Sequence, residues 1–181
     1  MGTRGRQRDE EFARYVAARR QHLRRYAYLL CGDWHAAEDL VQTSLTKLYL
    51  AWPRIRREQT EEAYARKVVM RCYLDERRRP WRRETASASL PDRAANGGLS
   101  YEDVEELRAA VRALPARQRA VLVLRHWWGL SIEETADDLG CSIGTVKSLG
   151  SRGAERLRSA LSASEPALPA LTSGGHHDEE R

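Results

Sequence analysis

The chain has 181 residues, of which 41% are hydrophobic and 31% are charged. This length suits one ordinary domain or two small ones and excludes a large α/β-barrel enzyme. Apolar runs are only a few residues long, so neither a transmembrane helix nor a membrane partner is expected. The basic first residues lead into no apolar segment of signal-peptide length, which predicts a cytoplasmic protein.

The net charge of +5 is distributed unevenly along the chain. Residues 1–84 carry 20 basic and 12 acidic side chains, a net +8, and residues 114–161 carry seven and five, a net +2. The segments 85–113 and 162–181 are net acidic. Because Lys and Arg gain free energy by releasing counterions from phosphates, the two basic blocks indicate a polyanionic partner.

Three stripes of apolar residues at helical spacing predict a three-helix bundle in residues 10–83. The first helix is expected to stop at Gly32, and Asp33 is placed to cap the second. The second helix is predicted to end at Pro53, because proline lacks the backbone N–H that a helix interior uses. A basic, polar connector then leads to the third stripe, which begins at Ala65.

Residues 84–100 are rich in Ser, Ala, Gly and Pro and are predicted to form a flexible linker. Residues 101–161 hold four further helical stripes, the first preceded by Ser100 and Asp103 at capping-box spacing. Residues 162–181 are expected to be a disordered acidic tail. With no alternating β pattern, the sequence predicts an all-α fold of two small helical domains.

Neither a cofactor nor a metal is expected. Cys31, Cys72 and Cys141 lie far apart without a CxxC pair, which argues against a disulfide framework and a closed zinc site. The adjacent His176 and His177 lie in the acidic tail, where two histidines would bind a metal only weakly and unselectively.

The most informative motif begins at Ser131. Ser131 and Glu134 form a capping box for a short helix, and Gly140 opens a tight turn to a second helix capped by Ser142. This is the arrangement of a helix-turn-helix, whose second helix enters the major groove of DNA. Capped helical pairs also occur in domains that bind nothing charged, which is the alternative interpretation.

The second helix of this motif is predicted to have two distinct faces. The inward face holds apolar or small residues, namely Ile143, Val146, Gly150, Ala154 and Leu157. The outer face holds polar and cationic residues suited to a DNA groove, namely Thr145, Lys147, Ser148, Ser151, Arg152 and Arg156.

The end of the first basic block carries a second candidate DNA surface. Five arginines occur within seven residues, namely Arg77, Arg78, Arg79, Arg82 and Arg83. They repel one another unless an anion lies among them, although a solvated basic helix end is an alternative. Upstream, aromatic and basic groups suited to single-stranded DNA are interleaved at Tyr64, Arg66, Lys67 and Arg71. Spacing alone makes a core position for Tyr64 equally plausible.

The second helix of the bundle differs from these basic surfaces. Its polar side carries Glu38, Asp39 and Gln42, and an acidic patch there would repel DNA. A protein partner is therefore one interpretation. The other is an ordinary solvated face, on which the two carboxylates complement the dipole at the helix N-terminus.

Taken together, these motifs resemble the extracytoplasmic-function (ECF) sigma factors. The segments AEDLVQ from Ala37 and LDERRR from Leu74 are similar to sigma region 2. The segments LPARQRAVLVLR from Leu114 and GTVKS from Gly144 are similar to sigma region 4. The match covers about residues 10–160 in the family's order, and RHWWGL and YLDERRR resemble the actinobacterial SigE-type subgroup.

The resemblance implies a factor without catalytic activity that binds core RNA polymerase and directs initiation at promoter DNA, with an anti-sigma factor as a further partner that the family allows. Asp39 and Gln42, beside Glu38, would face the polymerase. The connector from Ile55 to Glu62, with Tyr64 and the helix beyond it, would engage the −10 element. The −35 element would be contacted by Thr145, Lys147, Ser148 and Arg152.

Three departures from the family pattern bear on DNA binding. Arg71 stands where relatives often carry Asn, and Leu149 stands where they often carry Arg. Gly150 and Gly153 each weaken the recognition helix by about 1 kcal/mol relative to Ala. Binding at the −35 element is therefore expected to be weak or to depend on the polymerase.

Three other functions fit the sequence less well. A dimeric helix-turn-helix repressor would need a dimerisation surface, and the sequence has no long apolar heptad repeat. A sigma mimic that only titrates an anti-sigma factor would have no use for the arginine cluster at 77–83. An enzyme is least favoured, since the sequence has no phosphate-binding loop, nucleophile triad or metal-ligand set.

Overall fold

The computed structural model describes residues 3–58, 60–78 and 101–163. Within these ranges the chain forms α-helices and no strand, which confirms the all-α prediction. The helices are α1 (Thr3–Cys31), α2 (Trp34–Glu58), α3 (Glu61–Arg78), α4 (Tyr101–Ala113), α5 (Ala116–His126), α6 (Ile132–Leu139) and α7 (Ile143–Ser162). Among the described residues, every helix is too short or too polar to span a bilayer.

Helices α1, α2 and α3 pack together through the apolar stripes that the sequence contains. The largest fully buried side chains include Tyr26, Leu40, Leu48 and Tyr73. At the α1–α2 turn, Asp33 Oδ1 accepts a hydrogen bond from the Ala36 N–H at 2.8 Å, which confirms the predicted cap.

The prediction that Pro53 ends the second helix is wrong, because α2 continues to Glu58. Proline removes one backbone hydrogen bond from the helix. The extra turn buries Ile55, whose side chain is 3% exposed, and so extends the buried apolar face of α2 beyond Pro53. Burial of a large aliphatic side chain stabilises the fold by about 1.5–3 kcal/mol, which offsets the lost hydrogen bond.

The second half is formed by α7 packed against α4, α5 and α6. Its core includes Val121, Leu124, Leu139 and Val146. Helix α5 ends at His126, and the backbone N–H groups of Trp127 and Trp128 both donate to the Val123 carbonyl.

The two halves are in direct contact. Helix α1 packs against α4 and α5, and α3 packs against α5 and α6. Buried residues of both halves form one continuous apolar cluster. The predicted linker at 84–100, which includes Ser100 of the predicted capping box, and nearly all of the predicted tail, including His176 and His177, lie outside the described residues.

Candidate nucleic-acid and protein interface

The predicted helix-turn-helix is formed by α6, a three-residue turn and α7. Ser131 Oγ accepts from the Glu134 N–H at 3.0 Å, and Glu134 Oε2 accepts from the Ser131 N–H at 2.7 Å. Gly140 has a left-handed φ of 59°, and Ser142 Oγ accepts from the Thr145 N–H at 3.2 Å. These contacts confirm the capping box, the glycine turn and the second cap.

The outer face of α7 is cationic and accessible. Lys147, Ser151 and Arg152 are exposed, and the Arg152 Nε donates to the Ser148 carbonyl one turn earlier at 3.2 Å. Thr145 and Ser148 are half-buried, and the Ser148 hydroxyl donates to the Thr145 carbonyl at 3.1 Å. Lys147, Ser151 and Arg152 are therefore more accessible to a ligand than the hydroxyl groups of the two half-buried residues near the start of the helix.

The inward face of α7 differs from the prediction at one position. Val146 is buried, but Ile143 is 43% exposed, so its assignment to the inward face is wrong. Gly150 and Gly153 lie against α5, and Val146 is buried in the same apolar core. Ile143 is the first residue of the helix and lies beyond the edge of this contact.

Helix α3 presents part of the second candidate surface. Arg71, Arg77 and Arg78 are exposed, and the Arg77 guanidinium lies over the Tyr73 ring at 5.6 Å from its centroid. Tyr64 is half-buried and packs against the apolar core, so its ring is only partly available. Arg79, Arg82 and Arg83 lie outside the described residues.

The connector assigned to the −10 element needs a correction. Ile55, its first residue, lies within α2 and its side chain is buried in the core. A buried side chain cannot contact DNA, so the candidate surface excludes Ile55. Helix α3 begins at Glu61, four residues before the first apolar position that the sequence indicates.

The acidic patch on α2 is partly neutralised within the chain. Glu38 pairs with Arg20 and with Arg24, the latter at 3.1 Å between Oε2 and Nε. The hydrogen bond from Arg20 is the main reason why the pKa of Glu38 lies below its ordinary value. Asp39 and Gln42 are exposed, and Asp39 forms no ion pair with another described residue. The free acidic group of this patch is therefore Asp39.

Sequence reasoning missed a set of ion pairs between α3 and α6. Arg66 pairs with Asp138, and Lys67 pairs with both Asp137 and Asp138. Spacing along one helix predicts neighbours three or four residues apart, whereas these partners are about seventy residues apart in the sequence. The sequence carries no local signal that brings them together.

Comparison with known proteins identifies the family. Residues 15–83 match the family model "Sigma-70 region 2", and residues 104–157 match "Sigma-70, region 4". An RNA polymerase sigma-E factor of Streptomyces avermitilis is 38% identical over 152 residues, which cover 83% of this chain and 85% of that protein. The chain belongs to the sigma-70 family. It is therefore a transcription initiation factor that acts through RNA polymerase, and it is not an enzyme.

Two further relatives agree with this assignment. The sigma-E factor of Streptomyces coelicolor is 37% identical over 154 residues, covering 84% of this sigma factor and 87% of the relative. A solved structure of the sigma factor RpoE of Bartonella quintana, in complex with the anti-sigma factor NepR, has a TM-score of 0.70 and 26% identity. It covers 86% of this chain and 99% of that chain. The resemblance to ECF sigma factors is thus confirmed.

Proposed function

We propose that this sigma factor reads the −35 element with α7, engages the −10 element with α3, and binds core RNA polymerase through α2. The observation that carries the proposal is the exposed cationic face of α7, displayed on a fully capped helix-turn-helix. Since RNA polymerase and promoter DNA share the bacterial cytoplasm, we place its action there. We also propose that the chain divides into a region 2 domain at 10–83, a linker at 84–100, a region 4 domain at 101–161 and a tail at 162–181.

Charge and exposure support α7 as the −35 helix. Lys147 and Arg152 are exposed cations on the outer face, and Ser151 lies beside them. Phosphate contacts from such side chains set the position of a protein on duplex DNA, while contacts with base edges set the sequence. Thr145 and Ser148 complete the proposed surface near the N-terminus of α7, where the helix dipole favours a phosphate.

The exposed arginines of α3 support contact with the −10 element. Arg71, Arg77 and Arg78 supply three positive charges along one helix, and Arg79 follows in the sequence. Half-buried Tyr64 offers a partly accessible aromatic ring for stacking at the other end of the helix. This combination of cations and an aromatic ring suits a partly single-stranded backbone.

The chemistry of α2 favours a protein partner. Asp39 and Gln42 are one helical turn apart and both exposed, and Glu38 accepts a hydrogen bond from Gln42 and pairs with two arginines of α1. A carboxylate and an amide at this spacing can pair with cations and backbone groups of another protein. The Bartonella quintana relative was solved with an anti-sigma factor, so we include such a factor among the partners to be tested.

Reconstituted transcription tests the proposed function and the DNA surface of α7. The full chain is combined with core RNA polymerase and a genomic DNA library, and transcript start sites are mapped. We expect a defined set of starts. At one of these promoters, Lys147→Ala or Arg152→Ala should weaken binding by the complex and reduce the slope of log affinity against log salt by about one unit each.

Variants on α2 provide the matched comparison. Asp39→Ala with Gln42→Ala should weaken association with core polymerase, measured by native gel or fluorescence titration, and leave the fold unchanged by circular dichroism. Unchanged association would remove α2 from the polymerase interface, and an unchanged salt slope would remove the α7 cations from the DNA interface. A complex that starts no specific transcript would contradict the proposed function itself.

A further inference from the structure

An open apolar groove runs along the C-terminal half of α7. It has a volume of about 540 Å³ and lies between α7, α5 and α4, with one residue from the end of α1. Its apolar lining includes Leu29, Val111, Leu122, Trp127, Leu157 and Leu161. Trp127 is 41% exposed, and the two leucines of α7 are half-buried. A groove of this volume, with apolar walls and an accessible aromatic ring, has the size and character of a binding site.

The chain itself continues from one end of this groove. Leu161 lines the groove, and α7 ends at Ser162. The described residues stop at Ala163, and residues 164–181 follow in the sequence. Five residues of extended chain reach about 17 Å, so the segment from Leu168 onward is long enough to turn back and lie beside α7.

The tail contains one apolar segment, and its sequence repeats with a period of three. Residues 166–171 read PALPAL, between Glu165 and a polar, acidic end. Proline fixes φ close to the polyproline II value and disfavours an α-helical residue before it, so the pattern favours an extended segment over a continuation of α7. A polyproline II helix has three residues per turn, which places Leu168 and Leu171 on one face. The pattern therefore predicts an apolar ridge made of two leucines.

The predicted ridge matches the groove in length and chemistry. Leucines three residues apart in a polyproline II helix are separated by about 9 Å along its axis. Ala154 and Leu161, which line the groove from α7, are seven residues apart, or about 10 Å along the helix. Extended proline-rich segments bind grooves that contain aromatic rings, and Trp127 supplies such a ring.

Charge at the edge of the groove favours the same occupant. Arg158 and His126 line this edge and are exposed. Residues 162–181 carry four acidic side chains and one basic side chain, and the acidic residues lie on both sides of the apolar segment, at 165 and at 178–180. The tail is therefore attracted to the cationic edge.

We propose that residues 166–171 of the tail bind in this groove, with Leu168 and Leu171 against α5 and α7. The covalent link strengthens a contact that would be weak between separate molecules. A short flexible linker gives an effective concentration of about 1 mM, so a contact with a dissociation constant of about 0.5 mM is formed about two thirds of the time. The proposed DNA-contacting residues at 145–152 lie in the other half of α7, so this inference does not depend on promoter recognition.

The test compares two double variants of the full chain. Leu168→Asp with Leu171→Asp places two charges on the apolar ridge, and Thr172→Asp with Ser173→Asp adds the same charge immediately after it. Both change only the tail and leave every residue of the seven helices intact. Hydrogen exchange in the C-terminal half of α7 is measured by mass spectrometry. The indole N–H signal of Trp127 is followed by NMR, with Trp127→Phe to assign it.

We expect the leucine variant to exchange about threefold faster than the wild type in this half of α7, because the bound tail protects it for about two thirds of the time. Its Trp127 signal should also shift, and the control variant should match the wild type in both measurements. Equal exchange in the two variants, or an unshifted Trp127 signal, would overturn the proposal. Protection that increased with protein concentration would also overturn it, because a second copy of the chain would then be the occupant.

Discussion

At the scale of single residues, the two glycines of the recognition helix are not equivalent. A Cβ added to Gly153 would lie 3.3 Å from both Gln118 Cβ and Leu122 Cδ1 on α5, which is tighter than ordinary contact. A Cβ on Gly150 would lie 3.5 Å from Val121 Cγ1, an ordinary packing distance. Gly153 therefore permits the close approach of α5 and α7, whereas Gly150 does not need to be glycine for packing.

The substitutions Gly150→Ala and Gly153→Val should change stability in opposite directions. Alanine at 150 should raise the free energy of unfolding by about 0.5–1 kcal/mol, because glycine is a poor helix former. Valine at 153 should lower it by about 1–3 kcal/mol through overpacking against α5. Urea denaturation of the full chain measures both. If Gly150→Ala lowered the free energy of unfolding, or if Gly153→Val left it unchanged, this interpretation of the α5–α7 contact would be wrong.

Some residue positions could be predicted from the sequence and others could not. Val146 was assigned to the core because its spacing on α7 is regular, and it is buried. Ile143 is the first residue of α7, and Ile55 follows Pro53 in α2. At such positions the spacing of apolar residues along the chain does not predict which side chains are buried. The ion pairs of Glu38 depend on how α1 lies against α2, which no local pattern specifies.

At the scale of the elements, helix ends were predictable because capping is a local interaction. Ser131 and Glu134 satisfy each other's backbone N–H groups, and the two groups are separated by only three residues. The end of α2 was not predictable in the same way, since the burial of Ile55 decides whether the chain continues past Pro53. Local chemistry starts these helices, and tertiary packing sets the end of α2.

The capping box should make the stability of α6 depend on pH. The pKa of Glu134 lies below its ordinary value of 4.5, chiefly because its carboxylate accepts a hydrogen bond from the Ser131 backbone. A carboxyl group with a lowered folded-state pKa stabilises the fold above the unfolded-state pKa. That contribution disappears as pH falls through the lower folded-state value.

We therefore expect Glu134→Gln to be less stable than the wild type at pH 7, with a difference that shrinks as the pH falls below the ordinary carboxyl value of 4.5. Urea midpoints measured across this pH range test this, and Ser131→Ala should cost about 1 kcal/mol at pH 7 through the lost cap. Glu133→Gln is the control, because Glu133 lies in the same turn and shares the helix dipole without the capping bond. A pH-independent difference for Glu134→Gln would show that the carboxylate charge adds nothing to the cap.

At the scale of the whole molecule, the fold class and the order of the helices follow from apolar spacing, but the docking of the two halves does not. The docked interface combines ion pairs between α3 and α6 with rings from α1 that meet the α5–α6 loop. Tyr26 and His22 each make an edge contact with the Trp128 ring, at 5.2 and 4.8 Å between centroids. Such contacts depend on the relative position of two helical units joined by a segment without periodicity, which the sequence leaves undetermined.

Arg119 is a buried residue that bonds directly to the other half of the molecule. Its Nη1 donates to the Leu30 carbonyl at the end of α1 at 2.5 Å, and its Nη2 donates to the Leu114 carbonyl at 3.1 Å and to the Arg112 carbonyl. Burial lowers the pKa of this guanidinium, so carbonyl oxygens, including those at the negative end of the α1 dipole, must compensate its charge.

Replacing Arg119 by Lys should therefore destabilise the docked molecule although the charge is kept. An ammonium group cannot reproduce the planar fork that reaches carbonyls of both halves. Loss of a hydrogen bond from a charged donor costs about 1.5–3 kcal/mol, so we expect the free energy of unfolding, measured with urea, to fall by about 2 kcal/mol. Hydrogen exchange should also increase at the end of α1 and the start of α5.

The matched substitution Arg117→Lys, at an exposed position on the same helix, should change neither measurement. If the two variants behaved alike, the bonds of Arg119 would not hold the halves together, and docking would depend on the shared apolar cluster, the α3–α6 ion pairs and the Trp128 contacts.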